Sequence, residues 1–146
     1  MLMIKDQARS SALRALGARL AIARNEAGLT QSAMAKTAKV SFRVYLTYES
    51  GQEALPVDVL NVLYQRCGLD LEWIVAGSSP EQAQAIREDA SCQPFIAALE
   101  DYLNRNGMML HQESKDALLC RWHRSLQNGD GKSIEDAYTW AELLQE

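Results

Sequence analysis

No stretch of 18 consecutive apolar residues occurs in this 146-residue chain, which argues against a membrane-spanning helix. The opening Met1-Leu2-Met3-Ile4-Lys5-Asp6 is too short and too soon charged to serve as a signal peptide, so a cytoplasmic location is expected. Cysteine is scarce: Cys67, Cys92 and Cys120 are odd in number and widely spaced, which fits reduced, mostly buried thiols better than a disulfide framework. Gly-rich phosphate loops, paired-carboxylate clefts and nucleophile–base motifs are missing, as are internal repeats and low-complexity tracts, so an enzyme is not expected. With two histidines in all, one spacing suits a metal, Cys120 and His123 at i, i+3. Only His111, Cys92 and scattered carboxylates could complete it. A core cysteine and a surface histidine are the simpler reading, and neither a metal nor a cofactor is expected.

Net positive charge is lacking too, at −4 overall, but the halves differ. Residues 1–79 hold nine Lys/Arg against seven Asp/Glu, whereas residues 80–146 hold six against twelve. The basic residues gather in the first three predicted helices, an asymmetry compatible with a polyanionic partner for the N-terminal half. A hydrophobic content of 47% is ample for a packed core.

The most informative stretch runs from residue 29 to residue 51. Thr30 is placed to N-cap a short helix with Met34 and Ala35 turned inward. Ser41 is placed to N-cap a second, with Val44, Tyr45 and Tyr48 inward. A tight turn between Ala38 and Ser41 joins them, and Gly51 supplies the backbone freedom that ends the second. Two short helices so joined are the arrangement that places a second helix in a DNA major groove. The outward residues of that helix are Phe42, Arg43, Leu46 and Thr47.

With its flanks this stretch resembles the Cro-like helix-turn-helix family of phage and bacterial repressors. The matching residues are Leu16-Gly17-x-Arg19-Leu20-x-x-x-Arg24, Ala27-Gly28-Leu29-Thr30-Gln31, Met34-Ala35, Val40-Ser41 and Tyr48-Glu49-x-Gly51. The pattern continues through Pro56 to Gly68-Leu69-x-x-x-Trp73-Ile74-x-x-Gly77, and covers about residues 10–78. The resemblance implies an ion pair between Arg24 and Glu49 that sets the second helix of the pair, and a phosphate contact for Gln31. One departure falls in the turn, where the family usually carries Gly. Here it is Lys39, which accepts a cost of about 1 kcal/mol if its φ is positive and which can reach a phosphate. Arg43 can donate two hydrogen bonds to guanine O6 and N7, Thr47 can meet a base edge or methyl, and Phe42 can pack on a thymine methyl. Ser50, Gly51 and Gln52 lie where backbone N–H groups and short polar side chains would grip a phosphate.

The expected fold is all-α. A five-helix repressor-like domain spans residues 7–78, with a first helix from about Gln7 to Ala27 whose buried stripe is Leu13, Leu16, Leu20, Ala23 and Ala27. A fourth helix starts at Pro56 with Val57, Leu60 and Leu63 facing in, and Asp70 caps a short fifth. Gly77-Ser78-Ser79-Pro80 marks a boundary, and residues 79–91, polar and charged, read as a linker that could hold helical turns between Glu81 and Asp89. Residues 92–146 then offer three helices: one with Phe95, Ile96, Leu99, Tyr102 and Leu103 as its stripe, one from about Gln112 to Leu126 with Ala117, Leu118, Trp122 and Leu126, and one opened by the capping box Ser133-Ile134-Glu135-Asp136. Asn128-Gly129-Asp130-Gly131 breaks the second from the third. Three helices make a small core, and the last is apolar on more than one side. Ile134, Ala137, Tyr138, Trp140, Ala141 and Leu144 are therefore expected to form a dimer interface, the alternative being that residues 92–146 pack on the N-terminal domain of the same chain.

Function at this level reads as a sequence-specific transcriptional regulator, a homodimeric repressor that binds double-stranded operator DNA. The alternative is a protein-interaction module on the same fold, such as an antirepressor, using the apolar Phe42, Val44 and Leu46.

Overall fold

Every regular element among the described residues of the computed structural model is helical. The structure describes residues 2–130 and 132–145; Met1 and Glu146 at the ends, and Gly131 in the expected break, lie outside the described residues. The elements are α1 (Leu2–Glu26), α2 (Gln31–Ala38), α3 (Phe42–Ser50), α4 (Val57–Cys67), α5 (Leu71–Ala76), α6 (Pro80–Glu88), a 3-10 turn (Ala90–Cys92), α7 (Gln93–Arg105), α8 (Gln112–Asn128) and α9 (Ile134–Leu144). They divide into two units, Met1–Ala76 and Gly77–Glu146. No helix among the described residues is long and apolar enough to cross a membrane.

In the first unit α1 packs on α3 and α5, while α2 packs on α3 and α4. Because α1 is covered by two helices, its buried surface is wider than a single stripe: Ala18, Leu20, Ala21 and Ile22 are buried, Leu13, Leu16 and Ala23 are half-buried, and Ala27 is exposed beyond the helix end. Arg19, also buried, donates from Nε to the Ile74 carbonyl at 2.6 Å and from Nη2 to that of Val75 at 3.0 Å. It thereby satisfies carbonyls at the end of α5 that have no partner within so short a helix. The Asp70 carboxylate accepts from the Trp73 N–H at 3.1 Å and starts α5. Pro56 is the N-cap of α4 rather than its first residue, and the buried face is Val59 and Leu63, one turn apart, with Leu60 half-buried and Val57, in the first turn, 82% exposed.

In the second unit α8 packs on α6 and α9, and α7 on α9. The stretch expected as a linker with room for helical turns between Glu81 and Asp89 holds α6 and leads into the 3-10 turn. Ser79 and Gln82 form a reciprocal capping box, Pro80 sits in the first turn, and Ala83 and Ile86 are buried. Arg87 pairs with Asp116 of α8, whose carboxylate also accepts from Gln112 at 2.9 Å. Phe95 and Trp122 stack with centroids 3.6 Å apart, and Tyr102 and Tyr138 at 4.0 Å.

This packing corrects the expected dimer surface. Ala137, Trp140 and Ala141 are buried within the unit itself, so half of the six residues assigned to a partner face their own chain. The helices packed on α9 are α7 and α8, which supply its apolar cover, while α6 packs on α8. Ile134, Tyr138 and Leu144 are half-buried, and Leu126, expected inward, is 56% exposed.

The approach of α1 to α3 is unusually close at Gly17. A Cβ there would lie 2.6 Å from the Tyr48 carbonyl oxygen and nearer still to that of Glu49. Backbone atoms cannot move aside as a flexible side chain can. Gly17→Ala is expected to lower stability by about 1–3 kcal/mol despite alanine's better helix propensity, a change that chemical denaturation measures directly.

Candidate functional site

The segment from residue 30 to residue 53 is built from its caps. Thr30 Oγ1 accepts from the Ala33 N–H at 3.0 Å to begin α2, and Ser41 Oγ accepts from the Val44 N–H at 3.1 Å to begin α3. Between them Lys39, at φ 58° and ψ 39°, is the one non-glycine residue with a positive φ among the described residues. Its N–H donates to the Lys36 carbonyl and that of Val40 to the Ala35 carbonyl, each at 3.1 Å, which closes the C-terminus of α2. The left-handed turn projects the exposed Lys39 side chain from the corner between the two helices.

α3 is held from inside. Tyr45 and Tyr48 are buried and meet edge to face at 6.3 Å. Glu49 is the junction of three helices. Arg24 of α1 donates to its carboxylate from Nε at 2.7 Å and from Nη2 at 3.3 Å, and Gln31 of α2 donates from Nε2 at 3.0 Å. Tyr45 Oη of α3 itself donates at 2.5 Å. Arg24 also reaches the Leu29 carbonyl at 2.9 Å. The ion pair is almost closed to solvent, with side-chain exposures of 6% and 7%. Burial, with Glu49 alongside, pushes the Tyr45 phenol far above its ordinary value, so it stays a neutral donor.

The outer face of α3 is open. Ser41, Phe42 and Arg43 are exposed, Phe42 at 48%, while Leu46 and Thr47 are half-buried. Thr47 Oγ1 donates to the Val44 carbonyl at 2.6 Å and keeps its lone pairs. At the other end Gly51 takes φ 78° and lies so close to α1 that a Cβ would meet the Arg14 Cα at 2.6 Å. The N–H groups of Gly51, Gln52 and Glu53 all turn back on α3, onto the Tyr48 carbonyl at 3.3 Å and that of Thr47 at 3.0 and 3.2 Å. Ser50 Oγ does the same at 3.3 Å. Backbone N–H groups expected to face outward there are thus engaged in ending the helix, while the Ser50 and Gln52 side chains are exposed.

Charge from α2 through most of α3 is of one sign, and the exposed Glu53 follows only after Gln52. From residue 27 to residue 48 the chain has no Asp or Glu, while Lys36, Lys39 and Arg43 are all exposed. Lys36, which the pattern of caps and inward residues does not single out, belongs with the other two. The signal that identifies it is the gap in acidic residues rather than helical phase.

Residues 15–73 match the family described as helix-turn-helix domain, a span reaching from within α1 to within α5. No curated protein and no solved structure matches the chain.

Removing one partner of the buried pair leaves the other charge without compensation. Glu49→Ala is expected to cost roughly 3–5 kcal/mol of unfolding free energy, because a guanidinium, an amide and a phenol all lose their acceptor together. Thermal or urea unfolding reads this, and a variant as stable as the parent would show that the pair is not closed to water in solution.

Proposed function

We propose that the chain is a sequence-specific transcriptional regulator that binds double-stranded operator DNA as a homodimeric, cytoplasmic repressor of the Cro-like type, with α3 in the major groove. The observation that carries the reading is the outward face of α3: an exposed Arg43 and Phe42 at its first turn, flanked by Lys39 and Lys36, on a helix whose inner face is pinned by a buried ion pair. A groove reader needs both properties. Rigid support fixes where side chains meet base edges, and local positive charge draws the phosphates.

In this arrangement Arg43 donates to guanine O6 and N7, Thr47 offers its lone pairs to a base amine or its methyl to thymine, and Phe42 and Leu46 pack against thymine methyls. Phosphate contacts fall to Lys39, to Ser41 at the N-terminus of α3, and to the Ser50 and Gln52 side chains. Gln31 contributes through its second amide hydrogen, since the first is given to Glu49. Two copies would read two half-sites about one helical turn apart, gaining affinity through effective concentration. With Trp140 in the core, Ile134 and Leu144 are the residues of the expected interface that retain exposed surface without a stacking partner.

Phe42 also favours a second reading, since 48% exposure of a phenylalanine suits a protein partner as well as a thymine methyl. Salt separates the two: DNA affinity falls steeply with ionic strength, whereas an apolar protein interface barely responds.

Selection of bound fragments from a random duplex pool is expected to return a two-fold symmetric site. Arg43→Ala should then lose roughly 1–3 kcal/mol and relax preference at one base position per half-site. Lys39→Ala should weaken all sequences alike and flatten the salt slope by about one. A pool from which nothing is enriched at low salt would overturn the reading.

The dimer is tested separately by sedimentation at tens of micromolar protein. The parent is expected to run as a dimer and the double variant Ile134→Glu, Leu144→Glu as a folded monomer. A monomeric parent would refute self-association.

A further inference from the structure

The second unit brings together three side chains with metal-ligating atoms, outside anything used above. Asp89 follows α6, Cys92 closes the 3-10 turn, and His123 lies in the penultimate turn of α8. One carboxylate oxygen, the Cys92 Sγ and one imidazole nitrogen all lie within 4.8 Å of one another. We propose that Asp89, Cys92 and His123 bind a divalent ion of borderline softness, with zinc as the type, and that this ion ties the α6–α7 junction to α8.

The donor set selects the ion. A thiolate and an imidazole disfavour magnesium and calcium, which take oxygen ligands, and suit zinc and its neighbours. Carboxylate and thiolate together bring two negative charges, which neutralise a dication. Zinc bonds of about 2.0–2.3 Å in a tetrahedron set the donors about 3.3–3.6 Å apart. Drawing atoms already within 4.8 Å to that separation takes side-chain movements on the order of 1 Å, without unfolding either element.

The surroundings support the same use. Ser91 donates to Asp89 Oδ1 from its N–H at 2.9 Å and from Oγ at 2.7 Å, so the carboxylate is oriented by neighbours, as ligating carboxylates are. Exposure falls from Asp89, which is open, through His123, half-buried, to Cys92 at 2%. An ion would therefore enter from the Asp89 side and meet its thiolate at the dry end. Three protein donors leave a fourth position for water. The thiol that shares this cluster with the imidazole is Cys92, from another element.

Cobalt(II) serves as the spectroscopic probe for the full chain, with zinc(II) as competitor. The expected result is one equivalent of cobalt bound with thiolate-to-cobalt charge-transfer absorption, displaced by zinc, and a rise in melting temperature on adding zinc. Cys92→Ser should abolish the charge-transfer band. Asp89→Asn and His123→Gln, at positions with solvent access, should weaken binding by about tenfold or more while the fold is kept, and Cys67→Ser should change nothing. Absence of a charge-transfer band in the parent overturns the proposal. So does a band that survives undiminished in both Asp89→Asn and His123→Gln, since the ion would then be held elsewhere.

Discussion

A single buried carboxylate, that of Glu49, ties together α1, α2 and α3 of the N-terminal unit. An ionised group cannot be taken from water without compensation, and here Arg24, Gln31 and Tyr45 provide it from α1, α2 and α3. Because these donors sit on three helices, satisfying the charge is the same event as docking the helices. An α3 rotated by even a fraction of a turn would leave Glu49 short of its partners. The face carrying Phe42, Arg43 and Thr47 is therefore set indirectly, by what the opposite side must satisfy. Gly17 and Gly51 serve the same end, since each allows the backbones of α1 and α3 to approach where a side chain would hold them apart.

The parts of this structure legible from sequence are those whose cause is local. Thr30, Ser41, Asp70 and Ser133 each announce a helix start, because a short polar side chain before an apolar run meets N–H groups that otherwise lack partners. Lys39 is harder to read, since only its place in a five-helix pattern, and no intrinsic preference of lysine, indicates a left-handed turn. α6 is legible only as helical turns between Glu81 and Asp89 within a linker, for a different reason. It buries two small or medium side chains, Ala83 and Ile86, in nine residues, and its polar remainder outweighs them by composition. Its local signal is Ser79-Pro80-Glu81-Gln82, in which Ser79 and Gln82 form the capping box that starts the helix.

α9 is apolar on more than one side, and within its unit α7 and α8 cover it, burying Ala137, Trp140 and Ala141 and leaving Ile134, Tyr138 and Leu144 half-buried. Which part of an apolar helix stays open to a partner is thus a property of its neighbours and not of its own composition. The metal-ligating cluster is tertiary in the same way. Cys120 and His123 share a helix and attract attention by spacing, whereas His123 meets Cys92 only because the 3-10 turn after α6 delivers that thiol to α8.

Total charge says little about the exposed face of α3, because it averages over distance. A net −4 predicts repulsion from a polyanion only if every charge acts on it alike. At physiological ionic strength fields decay over about 8 Å, so a phosphate responds to the few side chains within that reach. Along residues 27–48 those are Lys36, Lys39 and Arg43, with no acid among them. Glu49, the next acidic residue, is turned inward and neutralised by Arg24. The pair that orients the helix thus also removes from its surface the one negative charge it carries, so that support of α3 and the electrostatic character of its outer face have a common origin.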